Sequence, residues 1–351
     1  RDRDVTGVQT CALPIYKIIA GTLYAMVLKE DGTIWAAGDN EYGQLGNGTN
    51  KNSNIPVKVK GLDKVVQVSA GEYDVTALKS DGTVWAWGRN KSNSPIQIKG
   101  LDKIVEVSTG SRHTVALKED GTVWSWGENI FGQLGDRTNK NSNIPIQARG
   151  VDNVKKAVAG NSYTMVLKND GTVWAWGANY SGELGDGTNI DKDLLVKVKG
   201  LENIIDISAG DMHNMALKED GTVWTWGSNI LGLLGNGTVT DSNIPLQVKG
   251  LNKVIAISAS SGQSAALDES GNVWTWGLST GRPREDSLKP MMVKELGKVT
   301  AISAGWNFTM VIKEDSSIWA WGNNYRGQFG IGNNETPFKP VKAFTKFKDS
   351  I

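Results

Sequence analysis

The chain is poor in the residues that most often carry chemistry. Its 351 residues include one cysteine, Cys11, and two histidines, His113 and His213. One cysteine excludes a disulfide scaffold, a cysteine-ligated zinc and an internal redox pair. The rest of the chain is cysteine-free, which is compatible with a bacterial cell exterior. Net charge is almost absent: 38 basic side chains face 37 acidic ones. A protein that reads phosphate backbones carries a basic excess on at least one stretch. Here the lysines are scattered, as in VKVKGLDK (57–64), so no nucleic-acid partner is expected. No apolar run approaches the roughly 18 residues that cross a bilayer as a helix, and no membrane span is expected. Helical periodicity over windows of 11–18 residues, the mark of an amphipathic helix, is missing throughout.

Glycine and tryptophan are abundant instead, with 42 and 14 residues. Both belong to one repeated unit. A paired-tryptophan element reads WAAG (35–38, half missing), WAWG (85–88), WSWG (124–127), WAWG (174–177), WTWG (224–227), WTWG (274–277) and WAWG (319–322). Its closing glycines are spaced by 50, 39, 50, 50, 50 and 45 residues. A second marker, a glycine 17 residues earlier, keeps the same phase at Gly21, Gly71, Gly110, Gly160, Gly210 and Gly305, with Ser260 in the sixth unit. Self-similarity at a fixed period of 20–50 residues marks a repeat architecture.

Residues 151–200 show the parts of the unit. VKKAVAG is an apolar strand, YTMVLKNDG a second strand ending in an Asp-Gly turn, TVWAWG a third, and LLVKVKG a fourth after a glycine-rich loop. Short strands bounded by Gly, Asn and Asp indicate all-β structure, and Asp-Gly is a strong hairpin signal because glycine accepts positive φ. Four strands per fifty residues, seven times, predicts an all-β fold: a seven-bladed β-propeller with four antiparallel strands per blade. The third strand is apolar on both faces, so it is expected to lie between sheets. Thirteen of the 14 tryptophans lie in this element. The pairs Trp85/Trp87, Trp124/Trp126, Trp174/Trp176, Trp224/Trp226, Trp274/Trp276 and Trp319/Trp321 are therefore assigned to the structural core between blades. The blades are placed at about 16–60, 61–99, 100–149, 150–199, 200–249, 250–296 and 297–344.

The composite motif A-G-x-x-x-T-x-x-L-K-x-D-G-T-V-W-x-W-G-x-N-x-x-G-x-L-G-x-G-T resembles the regulator of chromosome condensation repeat family, in a bacterial-type form, over about residues 16–344. Kelch repeats fit less well because no Gly-Gly doublet occurs, and the Gly-His and Trp-Asp marks of WD-type repeats are absent. The resemblance implies a closed seven-bladed ring. It says little about function, because one fold hosts unrelated functions. Two blades depart from the pattern: RNKSNSPIQIKG after Gly88 and LSTGRPREDSLKP after Gly277 both lack Gly-x-Leu-Gly. These two trimmed loops are expected to leave notches in one rim.

The ends stand apart. Residues 1–15, RDRDVTGVQTCALPI, match no part of the unit and resemble translated sequencing-adaptor read-through, so they are expected to be a foreign or disordered segment outside the fold. Residues 345–351 either pair with the first blade and close the ring or belong to a longer continuation.

No catalytic set is visible, so an enzyme is not expected, and no cofactor or metal is implied. The Asp-Gly segments place apolar strand residues where a calcium loop needs oxygen ligands, which makes them turns. Gly-Gln-Leu-Gly is followed by neither a helix nor Lys-Ser/Thr, so it is no phosphate loop. His113 and His213 share one repeat position with Tyr24, Asp74, Tyr163, Gln263 and Phe308, which points to local packing. Loops that vary between blades are the candidate binding surface, because function collects in variable loops on a rigid scaffold. The loops between strands one and two and between strands three and four share one face and vary. The opposite face repeats Asp-Gly-Thr and Lys-Gly-Leu. Binding energy concentrates on aromatics and arginine. The candidate partner-binding residues are thus Tyr24, Tyr42, Tyr73, Arg112, His113, Phe131, Tyr163, Tyr180, Met212, His213, Trp306, Phe308 and Tyr325, read as a ring of aromatics. The alternative is that several of them only plug the channel mouth.

The expected function is a non-enzymatic scaffold, monomeric, that binds a protein or glycan partner through the variable-loop face. An extracellular or cell-surface location is expected, with a cytoplasmic one as the alternative. The resemblance also implies a second reading, a guanine-nucleotide exchange factor or regulator of a small GTPase, although no large blade insertion offers a wedge for exchange. An ultraviolet photoreceptor of the same fold does not fit, because only Trp306 holds the tryptophan position of its Gly-Trp-Arg-His-Thr motif and GSRHT at 110–114 carries Ser111.

Overall fold

Every paired-tryptophan segment forms the third strand of a four-stranded antiparallel sheet. Among the described residues of the computed structural model (15–89, 91–278, 284–345 and 347), seven such sheets stand around a central channel. In blade 4 the strands are Val154–Ala159, Tyr163–Lys168, Val173–Gly177 and Lys192–Lys197, from channel to rim. In all seven blades the order across the sheet follows the order in the chain. Inner strands pack laterally, each on the next, and Val299–Gly305 of blade 7 packs on Ile15–Ala20 of blade 1.

Neighbouring inner strands share a repeated hydrogen bond. Ser69, Ser108, Ser208 and Ser258 accept the main-chain N–H of Thr109, Ala159, Ala259 and Ala304 in the following blade at 2.9–3.0 Å. Ser303 accepts Ala20 N at 3.0 Å across the seam between blades 7 and 1. The seam thus carries the bond found at four of the other six boundaries. Arg326 adds an ion pair to Glu41 at 3.0 Å, and Gly332 N donates to Asn54 O at 2.8 Å. From the C-terminal tail, Phe347 meets Trp35 of blade 1 edge-on at 5.2 Å. Phe347 thus touches the first blade, whose inner strand begins at Ile15, a residue that the sequence reading placed outside the propeller.

The Asp-Gly-Thr segments are turns with an internal brace. In blade 4, Asp170 Oδ1 accepts both the N–H and the hydroxyl of Thr172, at 3.0 and 2.6 Å, while Thr172 Oγ1 accepts Trp174 Nε1 at 2.9 Å. Gly171 sits at φ +77°, where a β-carbon would be strained. The threonine hydroxyl bond holds the carboxyls of Asp81, Asp120, Asp170 and Asp220 below the usual range.

The two tryptophans of a pair are not equivalent, which amends the sequence reading. Trp87, Trp126, Trp176, Trp226, Trp276 and Trp321 are buried between blades. Trp85, Trp124, Trp174, Trp224, Trp274 and Trp319 are half-buried near the turn face. Lys79, Lys118, Lys168 and Lys313 lie 5.0–6.0 Å from the rings of Trp85, Trp124, Trp174 and Trp319. The valine and alanine on the other side of the strand, such as Val173 and Ala175, are fully buried.

Outer strands vary most. Blade 6 has only Met291–Met292, preceded by a helical turn, Arg284–Ser287, that the sequence pattern did not suggest. That turn brings Leu288 O to 2.9 Å from Gly237 N, the bond that Asn243 O makes with Gly187 N one blade earlier. The rest of the sixth trimmed loop, 279–283, lies outside the described residues, as do 1–14 with Cys11.

Candidate partner-binding face

The two variable loop types do meet on one face, since single cavities there are lined by residues of both. Five of the thirteen sequence candidates, however, lie inside the wall: Tyr24, Tyr163, Phe308, His113 and His213 are all buried. Each is the first residue of a second strand, three positions after a glycine. A β-carbon on Gly160 would stand 2.2 Å from the Tyr163 ring, and one on Gly305 would stand 2.4 Å from Phe308. The missing side chain lets the ring fold back under the loop. Tyr163 then donates its hydroxyl to Gly210 O at 3.0 Å, and Tyr24 to Gly71 O at 2.9 Å, each in the next blade. His113 and His213 share hydrogen bonds with Thr164 Oγ1 and Ser264 Oγ at 2.8 Å. Burial pushes their imidazoles down to about 4 and about 3, so both stay neutral near pH 7. These five side chains join neighbouring blades and do not present themselves to a partner.

The other eight candidates do not form one ring. Tyr42 and Tyr73 meet at 4.6 Å with their rings tilted by 59° on blades 1 and 2, with the Arg89 guanidinium 5.5 and 5.0 Å from their rings. Trp306 lies at the channel mouth and Tyr325 on blade 7. Phe131, Tyr180, Met212 and Arg112 gather over blades 3, 4 and 5 around a cavity of about 370 Å³. Phe131 meets Tyr180 edge-on at 5.8 Å. Arg112 faces Glu128 at 3.4 Å on the cavity margin.

Ile130 completes this cluster and was missed by a search for aromatics. It is 54% exposed, beside Tyr180 at 66% and Met212 at 42%. The signal was available: Ile130 follows the loop asparagine Asn129 just as Tyr180 follows Asn179. Those asparagines explain why the loop holds its shape. Asn179 Oδ1 accepts Leu184 N at 2.9 Å, and its Nδ2 donates to Thr188 O and Ile190 O at 3.0 and 3.1 Å. The residue after the asparagine is thereby held outward on a rigid loop.

Glu183 lies in the cavity floor. Its Oε2 accepts Ser181 N at 2.9 Å, a bond made by Gln44, Gln133 and Gln328 in blades 1, 3 and 7. Burial pushes its carboxyl up to about 7. Among the described residues, no three His, Cys, Asp or Glu side chains converge on a common point suited to a metal ion.

In blade 2 the third strand ends at Gly88 and the outer strand already begins at Ser92, and a cavity of about 740 Å³ opens between blades 2 and 3. Lys91 pairs with Asp74 at its edge, at 3.2 Å.

Comparison with known proteins places this architecture. The profile of the regulator of chromosome condensation (RCC1) repeat matches residues 31–78, 120–167, 170–217 and 220–267, and a second profile of the same repeat matches 65–93, 104–133, 154–183, 204–233 and 299–328. No curated sequence matches the chain significantly. Human WBSCR16 shares the fold with a TM-score of 0.79 at 22% identity, over 89% of this chain and 94% of the other. Prp20p of Saccharomyces cerevisiae, whose structure is described with its binding to Gsp1p and histones, gives 0.74 at 23%, over 86% and 84%. The ectodomain of the Physcomitrella patens receptor kinase CR4 gives 0.59 at 18%, over 89% and 75%. With matched repeats covering well over half of its length and all seven blades built to the same plan, this chain belongs to the regulator of chromosome condensation repeat family.

Proposed function

We propose that the chain is a non-enzymatic scaffold that binds a protein partner on its variable-loop face, with blades 3–5 as the anchor point. The supporting observation is the apolar cavity walled by Ile130, Phe131, Tyr180 and Met212 and bordered by the Arg112–Glu128 pair. Exposed aromatic and aliphatic side chains around a preformed hollow, with charge at the rim, match the anatomy of interface hot spots. The rigid loop asparagines reduce the ordering cost of binding. The histidines are neutral and enclosed, and take no part in acid–base chemistry near pH 7 in this reading.

Capture of partners by the propeller, in wild-type and variant forms, tests this reading. Tyr180→Ala combined with Met212→Ala should weaken binding by about thirty-fold, the loss of one hot spot, with thermal stability little changed. Glu202→Ala, in an exposed loop of the opposite face, should leave binding intact. The reverse pattern rejects the assignment of the face.

A regulator of a small GTPase is the second reading, supported by the fold shared with Prp20p. It requires faster nucleotide release from a candidate GTPase in the presence of this chain. Partner capture without an effect on release favours the scaffold.

A further inference from the structure

The cavity between blades 2 and 3 lacks something that the boundaries following blades 1, 3, 4 and 5 contain. In blade 4, one carbonyl of blade 3, that of Gln133, accepts two hydrogen bonds: from Trp176 Nε1 at 2.9 Å and from Thr164 Oγ1 at 2.9 Å. Blade 5 repeats this with Trp226 Nε1 and Asn214 Nδ2, both 2.8 Å from Glu183 O. Blade 6 repeats it with Trp276 Nε1 and Ser264 Oγ, at 2.7 and 2.9 Å from Leu233 O. In each case the acceptor is the second residue of a Gly-x-Leu-Gly loop. Blade 3 carries the same donors, Trp126 and Thr114, but blade 2 has no such loop. Trp126 is only 3% exposed, and its Nε1 has no hydrogen-bond partner. Both residues line the 740 Å³ cavity. A buried donor without an acceptor carries its full desolvation cost.

We propose that this notch is a binding site for a peptide turn of sequence Gly-x-Leu-Gly-x-Gly supplied by a partner protein. The occupied notches define the ligand. The carbonyl of x is gripped by the indole N–H and a neighbouring side-chain hydroxyl or amide. The leucine is fully buried wherever the loop is present, as Leu45, Leu134, Leu184 and Leu234 are. The second glycine lies against the indole: a β-carbon on Gly46, Gly135, Gly185 or Gly235 would be 2.8–2.9 Å from the tryptophan Nε1. The third glycine donates its N–H to the outer strand of the next blade, as Gly48 does to Asn93 O and Gly187 to Asn243 O, both at 2.9 Å. Asn143, the counterpart on blade 3, lines the notch between blades 2 and 3. Trp126, Thr114 and Asn143, whose counterparts hold this loop in cis elsewhere in the ring, thus stand ready to act in trans. The site stands apart from the blade 3–5 hollow, with which it shares only the Arg112–Glu128 wall, and does not depend on the reading above.

The probe is a synthetic peptide copying residues 40–52, NEYGQLGNGTNKN, which carries its own brace because Asn40 bonds Leu45 N, Thr49 O and Lys51 O. Added to protein labelled with ¹⁵N at its indoles, it should shift the Trp126 indole resonance, assigned by its loss in Trp126→Phe, and saturate below about 1 mM. Thr114→Val should weaken the peptide about tenfold by removing one donor. Valine is native at this position in blade 2, as Val75, so the variant should fold. The peptide with Gly46→Ala should not bind. Grafting residues 40–52 between Arg89 and Ser92 should abolish peptide binding by filling the notch, and Tyr180→Ala should leave it unchanged. A Trp126 resonance that does not move at several millimolar peptide overturns the proposal. So does equal binding of the Gly46→Ala peptide, or equal binding by Thr114→Val and the grafted protein.

Discussion

Replacing Trp226 with alanine is expected to cost about 4–5 kcal/mol of stability, and replacing Trp224 about 1–2 kcal/mol. Large-to-small core changes at tryptophan cost about 3–5 kcal/mol through lost transfer energy and the cavity left behind. Trp226 is fully buried among residues of blades 4 and 5, and its indole bond to Glu183 O adds about 1 kcal/mol. Trp224 is half-buried, and its indole bond to Thr222 Oγ1 is long, at 3.3 Å, on the exposed turn. Two residues apart on the same strand face, the pair should differ by a factor of about three. Denaturant midpoints of the two variants measure this. Equal losses would show that the wall is distributed over both tryptophans.

Replacing Glu183 with glutamine should stabilise the protein at pH 8 and destabilise it by about 1–2 kcal/mol at pH 4. The folded-state carboxyl titrates at about 7, above the ordinary value of 4.5. As pH rises the unfolded chain loses its proton first, so the native state loses stability between about pH 4.5 and 7. Above that window the penalty is complete, with a ceiling of about 3 kcal/mol. Glutamine keeps the bond to the Ser181 N–H, as Gln133 keeps the one to Phe131. It also brings an amide Nε2 that is unpaired at Gln133 and Gln328, which costs about 1–2 kcal/mol at any pH. The net gain at pH 8 is about 1–2 kcal/mol, and the melting curves of the two proteins should cross near pH 6. The histidines tilt the other way. Their folded values lie below 6.5, so the stability they contribute is present above pH 6.5 and lost as pH falls toward 4 and 3. This term is common to both proteins and cancels in the comparison. A constant difference across pH 4–8 would show that Glu183 is ionised in the folded protein like an ordinary carboxylate.

The repeat made the fold legible. Glycine phase gave the blade period, and alternation in TVWAWG gave a strand buried on both faces. The trimmed loop after Gly88 announced the notch, because a missing segment is visible in a sequence. The orphaned Trp126 N–H was not, since its normal partner belongs to a different blade and only packing shows what is absent. The burial of Tyr24, Tyr163 and Phe308 was partly legible: each opens a second strand, and a strand's first residue is wall before it is loop. What decided their place was the room above the glycine three residues earlier, a three-dimensional fact. Ile130 was overlooked for a different reason. Its exposure comes from the asparagine-braced loop, and that loop holds any side chain outward, aromatic or aliphatic.

Each sheet consists of four strands consecutive in the chain, and the seam between blades 7 and 1 uses the same serine bond as other boundaries. A gene segment of one repeat therefore encodes one complete blade. Duplicating or deleting such a segment in a single recombination event leaves no strand without its neighbours and changes only the number of wedges around the axis. The same arrangement lets the chain be rejoined end to end and opened at another blade boundary without breaking any sheet. A propeller whose last blade borrows a strand from the other end of the chain lacks that freedom.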